Sequence, residues 1–165
     1  MPEFREHASL AGMWDGSHLA PAPEAVSATA TVWFPLPLDD ALPDAPPIWE
    51  GLRATPVAAD EYVVHACPAL IARVAFGDRV QVMTSGEGAL VVTAVVATGG
   101  YASARLWFAD GGESWQKSTE LLAQAGCIVD VYSDHLVGIS WPTQSSALAI
   151  LDRLEAQGTL QYATA

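Results

Sequence analysis

The sequence predicts an α+β protein: a small antiparallel β-barrel or curled sheet, then a ferredoxin-like β-α-β-β-α-β unit. Three observations carry this. Residues 26–97 hold short strand-like runs broken every few residues by glycine or proline, the pattern of a small β unit. The last part of the chain interleaves helix-period stripes with apolar strands. Hydrophobic residues make up 51% of the 165 and charged residues only 16%, enough apolar surface for a packed core. Residues 1–25 have weak periodicity and end in Leu19-Ala20-Pro21-Ala22-Pro23, so they read as an arm or linker.

In the first unit, Val26, Ala28, Ala30, Val32 and Phe34 alternate with Ser27, Thr29, Thr31 and Trp33, as in a half-buried strand. The stretch 35–47 cannot continue it, because its prolines lack the ladder donor, and Asp39, Asp40 and Asp44 make it an acidic loop. Four more strands are expected over 48–57, 61–66, 79–83 and 89–97. Breaks fall at Pro56, at Cys67-Pro68, at Gly77-Asp78 and over 85–88.

The unit at 98–165 opens with a strand over 101–109 and a turn at Asp110-Gly111-Gly112. Residues 113–125 read as a helix, with Glu113 in its first turn and Gly126 placed as a C-cap. Strands over 127–133 and 136–141 meet across Asp134-His135, a tight hairpin. A second helix follows Pro142, with Thr143 as its expected N-cap. Ala147, Ile150, Leu151 and Leu154 form its core stripe, Gly158 closes it, and 160–163 supplies a last strand.

Charge narrows the function. The 19 acidic residues outnumber the 7 basic ones, giving a net charge of −12. That charge disfavours direct binding to nucleic acid or to an anionic membrane surface and favours a cationic partner, although it also serves solubility. No apolar run is long enough to span a bilayer, and residues 1–7 lack the basic and apolar regions of a signal peptide. Cys67 and Cys127 lie among apolar neighbours and read as buried thiols in a reducing compartment. The cytoplasm is the expected location.

The residues offer no catalytic constellation. His7, His18, His65 and His135 lack companions at metal-ligand spacing, and there is no HExxH, CxxC, P-loop, GxGxxG or GxSxG pattern. His65 and Cys67 would share a strand face, but no acid orients such a pair. Gly86 and Gly88 flank Glu87, an acid where a phosphate would sit. No cofactor is called for. Most of the six tryptophans should be core anchors. Trp33, on the polar phase of its strand, and Trp14, outside both units, are the candidates for an exposed contact.

Three stretches carry a family resemblance: Ile48-Trp49-Glu50-Gly51-Leu52-Arg53-Ala54-Thr55-Pro56-Val57, Glu61-Tyr62-Val63-Val64-His65-Ala66-Cys67-Pro68 and Val74-Ala75-Phe76-Gly77-Asp78-Arg79-Val80. With Thr98-Gly99-Gly100-Tyr101 and Gly126-Cys127-Ile128-Val129-Asp130, they resemble a bacterial family known as domain of unknown function 4265, over about 48–165. Arg53, Phe76 and Ala125 depart from its pattern. The motifs are mostly turn and core residues, and the resemblance implies a small bacterial cytosolic domain with no assigned activity.

Three functional classes fit: an immunity or antitoxin-like protein that caps a basic partner such as a nuclease toxin, a domain sensing a small metabolite beside the first strand-to-helix turn, and an enzyme with an unfamiliar site. The first fits the charge best. The β-α-β-β-α-β order brings the turn after its first strand and the hairpin after its second to one end of the sheet. The expected partner face is therefore Asp110, Glu113, Asp134 and His135 with Asp130 just below, and the loop acids Asp39, Asp40 and Asp44 are the second candidate.

Overall fold

The computed structural model describes residues 1–109 and 113–164. Two six-stranded sheets make up the protein. In the first, β4 (Ala30–Pro35), β5 (Ile48–Ala58), β6 (Glu61–Val64), β7 (Arg79–Thr84) and β8 (Leu90–Ala97) pair in chain order, each antiparallel to the next. Pairing of β4 with β8 closes them into a five-stranded barrel. An all-antiparallel barrel was expected, but an odd number of up-and-down strands leaves the first and last pointing the same way. The closing pair is accordingly parallel. Val32, Leu52, Val64 and Val80 fill the interior. Phe34 still faces inward as the alternation required, but the run expected to be one strand from 26 is divided. Pro23–Ser27 is a short helix, α1, with Pro23 in its first turn, where its fixed φ fits.

The segment expected as an arm is built into both sheets. β1 (Glu3–Glu6) lies parallel to β5 at the barrel's edge. β2 (Gly12–Trp14) and β3 (Leu19–Pro21) extend the second sheet. These strands are too short for a periodic signature; partner strands, not local propensity, place them.

The second sheet also holds β9 (Tyr101–Trp107), β10 (Ile128–Val131), β11 (Leu136–Pro142) and β12 (Gln161–Thr164), in the order β12-β9-β11-β10-β2-β3. Helices α2 (Glu113–Gln124) and α3 (Ala147–Ala156) pack on it through Leu122, Leu151 and Leu154. Gly126 ends α2 with φ of 95°, as a C-cap glycine does. The second helix begins later than expected: Thr143 lies in a turn, Ser146 is the N-cap, and the Ser145 hydroxyl accepts the Ala147 N–H. β11 runs on through Pro142, paired with Tyr101, which delays the helix.

Between the two sheets lies a third apolar cluster of Ala11, Ala22, Ala25, Cys67, Phe76 and Ile128. The connection 65–78 leaves the barrel after β6, crosses this seam and returns to β7. At Gly138 it approaches the backbone of the second sheet closely. A Cβ on Gly138 would stand 2.4 Å from the Pro68 carbonyl oxygen.

Candidate functional site

Three ionisable side chains meet in that seam. Glu50 projects from β5, Asp130 from β10, and His7 follows β1. Glu50 and Asp130 are fully buried. The His7 Nε2 lies 2.7 Å from Glu50 Oε1 and its Nδ1 2.8 Å from Asp130 Oδ1. Both ring nitrogens therefore face carboxylates, and only the doubly protonated ring can donate to both. Burial by itself would lower the His7 pKa. Hydrogen bonds to Asp130 and Glu50, reinforced by their charges, outweigh it and raise the value to about 9.

The same carboxylates also hold the crossing connection. Glu50 accepts the N–H groups of Ala69, Leu70 and Ile71, and Asp130 accepts that of Cys67. One acid from each sheet thus captures the backbone between them, with the imidazolium in the middle. Asp78 repeats the device nearby, accepting from Ala75 and Gly99. Among the described residues no buried side-chain nitrogen or oxygen lacks a partner. This is a satisfied ionic clamp, and isolated members of it would be costly to bury.

The clamp borders a cleft of 140 Å³ whose lining includes Ser9, Thr29, Thr31 and Arg53. Each oxygen of Glu50 and Asp130 accepts at least one N–H, and the imidazole is held at both nitrogens. The thiols are quiet. Burial pushes Cys127 up to about 12 and Cys67 well above its ordinary value, and the Cys67 Sγ points at the Ile128 carbonyl, 3.5 Å away. The supposed His65–Cys67 pair does not form. β6 stops at Val64, and His65 bonds the Thr55 hydroxyl instead. Among the described residues, no group of three or more His, Cys, Asp or Glu has the arrangement of a metal site.

The expected partner face fares unevenly. Asp130 is not on it: it points into the seam, where the Cys67 N–H and His7 consume its charge. Asp134 and His135 are exposed beside each other in the β10–β11 connection. His135 reaches the end of β9 as the topology required, its Nδ1 2.9 Å from the Phe108 carbonyl oxygen and its own carbonyl accepting the Phe108 N–H. Asp110 and the side chain of Glu113 lie outside the described residues. Asp39, Asp40 and Asp44 are exposed in the loop after β4. Trp14 and Trp33 are each half-buried: Trp14 packs on the second sheet's core, and Trp33 is covered edge-on by Phe4 and lies over Gly51. Trp107, expected in the core, is 39% exposed, with the Arg105 guanidinium above its ring.

His7 was missed because its partners lie 43 and 123 residues away. The other two members left a trace. Glu50 in Ile48-Trp49-Glu50-Gly51-Leu52 and Asp130 in Ile128-Val129-Asp130-Val131 are lone acids inside apolar strands, where an unpaired charge would be prohibitive.

The sequence profile described as Domain of unknown function (DUF4265) matches residues 50–162. The chain belongs to this family. Both carboxylates of the clamp lie inside the DUF4265 match and His7 lies outside it. In fold, the chain is similar to a hypothetical protein from Neisseria gonorrhoeae, with a TM-score of 0.61 at 12% identity over 81% of this chain and 92% of that one. Comparison with curated proteins gives no match.

Proposed function

We propose that this DUF4265 protein acts by binding, as an immunity or antitoxin-like protein that neutralises a basic protein partner such as a nuclease toxin. The observation that carries this reading is the division of its acids. Glu50, Asp78 and Asp130 are buried and consumed by the fold, while Asp39, Asp40, Asp44 and Asp134 stand exposed. Few cations offset them. Of the 7 basic residues, Arg5 and Arg79 are already paired with Glu3 and Glu61. Such a surface accelerates encounter with a cationic protein and disfavours nucleic acid. The same reading makes the protein a non-enzyme that works in the cytoplasm without a cofactor. The strand order β12-β9-β11-β10, with helices following β9 and β11, supports reading 101–164 as a ferredoxin-like unit in which Asp134 and His135 stand beside the end of β9.

Capture from the native cell should yield a basic protein whose association rate falls as salt shortens the Debye length to about 8 Å at physiological ionic strength. Asp110→Lys with Asp134→Lys should keep the fold and weaken binding by at least about 2 kcal/mol. If that double variant binds normally, the loop variant Asp39→Lys with Asp40→Lys and Asp44→Lys must lose binding instead. Normal binding by both, or a salt-indifferent rate, sinks the proposal.

One observation favours the metabolite-sensing alternative. A cleft of 390 Å³, lined by Trp107, Phe108, His135, Glu155 and Leu160, opens beside the end of β9, where such a ligand was expected. A thermal-shift screen of metabolites with Trp107→Ala as control tests it. The alternative fails if no compound stabilises the native protein more than that variant.

A further inference from the structure

At the start of β9, the opposite end from Trp107, the connection 65–78 and the second sheet border a cleft of 460 Å³, within the roughly 300–1,000 Å³ of small-molecule sites. Val74, Tyr101, Trp141 and Leu148 supply its apolar walls. Two charged side chains line it, Arg73 and Asp78. Asp78 is consumed by the fold, since one of its oxygens accepts the Ala75 N–H and the other the Gly99 N–H. Among the described residues, Arg73 has neither a hydrogen bond nor an ion pair.

The backbone sets Arg73 apart. Its φ is 67°, in the left-handed region that a Cβ disfavours and glycine occupies without strain. Asp60 is the other described non-glycine residue with positive φ, and it lies in the short β5–β6 turn, where aspartate is well tolerated. Arginine has no such local reason to be there. Both flanks of Arg73 are fixed. Glu50 holds the N–H groups of Leu70 and Ile71, Asp78 holds that of Ala75, and the Ser103 hydroxyl donates to the Val74 carbonyl. Buried carboxylates thus keep a strained residue in place at the cleft, and strain held in this way collects at ligand-binding positions.

We infer that this cleft binds a small organic monoanion, with its carboxylate on the Arg73 guanidinium and its apolar body against Tyr101, Trp141 and Leu148. A guanidinium pairs with a carboxylate through two parallel hydrogen bonds. One cation matches one charge. A phosphate dianion would bring a second charge into the field of a chain at −12, and the lining holds no further cation to meet it. An inorganic anion would also leave the apolar walls uncovered. The cleft shares no residue with the acidic face, so it stands or falls separately from the basic partner.

Calorimetric titration of the full chain with phenylacetate, indoleacetate and hexanoate, each beside its uncharged primary amide, tests this directly. At least one carboxylate should bind, and its amide should bind at least about tenfold more weakly. Arg73→Gly removes the guanidinium and the backbone strain together, so it should stay folded and lose at least about tenfold in affinity. Arg153→Ala, which removes a different arginine, should bind as the parent does, and so should Trp107→Ala at the other end of β9. Leu148→Glu puts a carboxylate into the wall at a side chain that is 45% exposed. It should weaken binding in the same direction if Arg73→Gly fails to fold. No binding by any of these acids, or equal binding by acid and amide, would overturn the proposal. So would equal binding of inorganic phosphate, normal binding by Arg73→Gly or Leu148→Glu, or an equal loss in Arg153→Ala.

Discussion

Glu50 and Asp40 are both carboxylates in the first half of the chain, yet the fold puts them to opposite uses. Glu50 sits at zero exposure with three backbone N–H donors and an imidazolium around it. Asp40 stands in a proline-bounded loop, open to water. Low dielectric magnifies the first set of interactions, and solvent screens the second to little. The comparison teaches that this protein's excess of acid is two populations. A few carboxylates are structural rivets between its sheets, and the rest form an outer field.

The largest expected effect breaks the rivets. Glu50→Ala leaves three buried N–H groups without an acceptor and the His7 cation without a counterion on that side, and should cost about 3–5 kcal/mol of unfolding free energy in urea titration. Asp40→Ala should stay within about 0.5 kcal/mol of the parent. Equal costs for the two would erase the distinction.

The clamp also has a pH signature. The folded His7 pKa lies above its ordinary 6.5, at about 9, so the folded state holds the proton more tightly than the unfolded chain. Its contribution is complete below about pH 6.5 and disappears as pH rises through about 9. At about 1.4 kcal/mol per pH unit it is worth roughly 3 kcal/mol. Urea midpoints should therefore fall between pH 6.5 and 9.5 for the parent, and the slope should flatten in His7→Gln. A parallel decline in both would assign the slope to other groups.

A smaller effect concerns the close approach that lets Asp130 reach the Cys67 N–H. Gly138→Ala forces the Pro68 carbonyl away and should destabilise by about 1–3 kcal/mol. It should also accelerate native-state labelling of Cys67, which is otherwise slow beside an unfolded control. Unchanged labelling would mean that the connection holds its position without that contact. Smallest of all, Asp134→Lys should leave the melting temperature nearly unaltered, because both it and its neighbour His135 are solvated.

The sequence by itself determined much of the secondary structure. Period-2 runs and Gly/Pro breaks located five barrel strands because each strand reports its own half-buried face. The stripe at Ala147, Leu151 and Leu154 located the last helix in the same way, since all three are buried. Such local patterns need only a neighbouring apolar surface, whichever one it proves to be. What only the tertiary structure decided is everything that depends on which surface. The strands Glu3–Glu6, Gly12–Trp14 and Leu19–Pro21 exist because unpaired ladders of β5 and β10 receive them. Asp130 left the expected docking face because β10 turns it inward. His7 became an ionic core residue because chain segments remote in sequence converge there, with desolvation making each charge depend on the others.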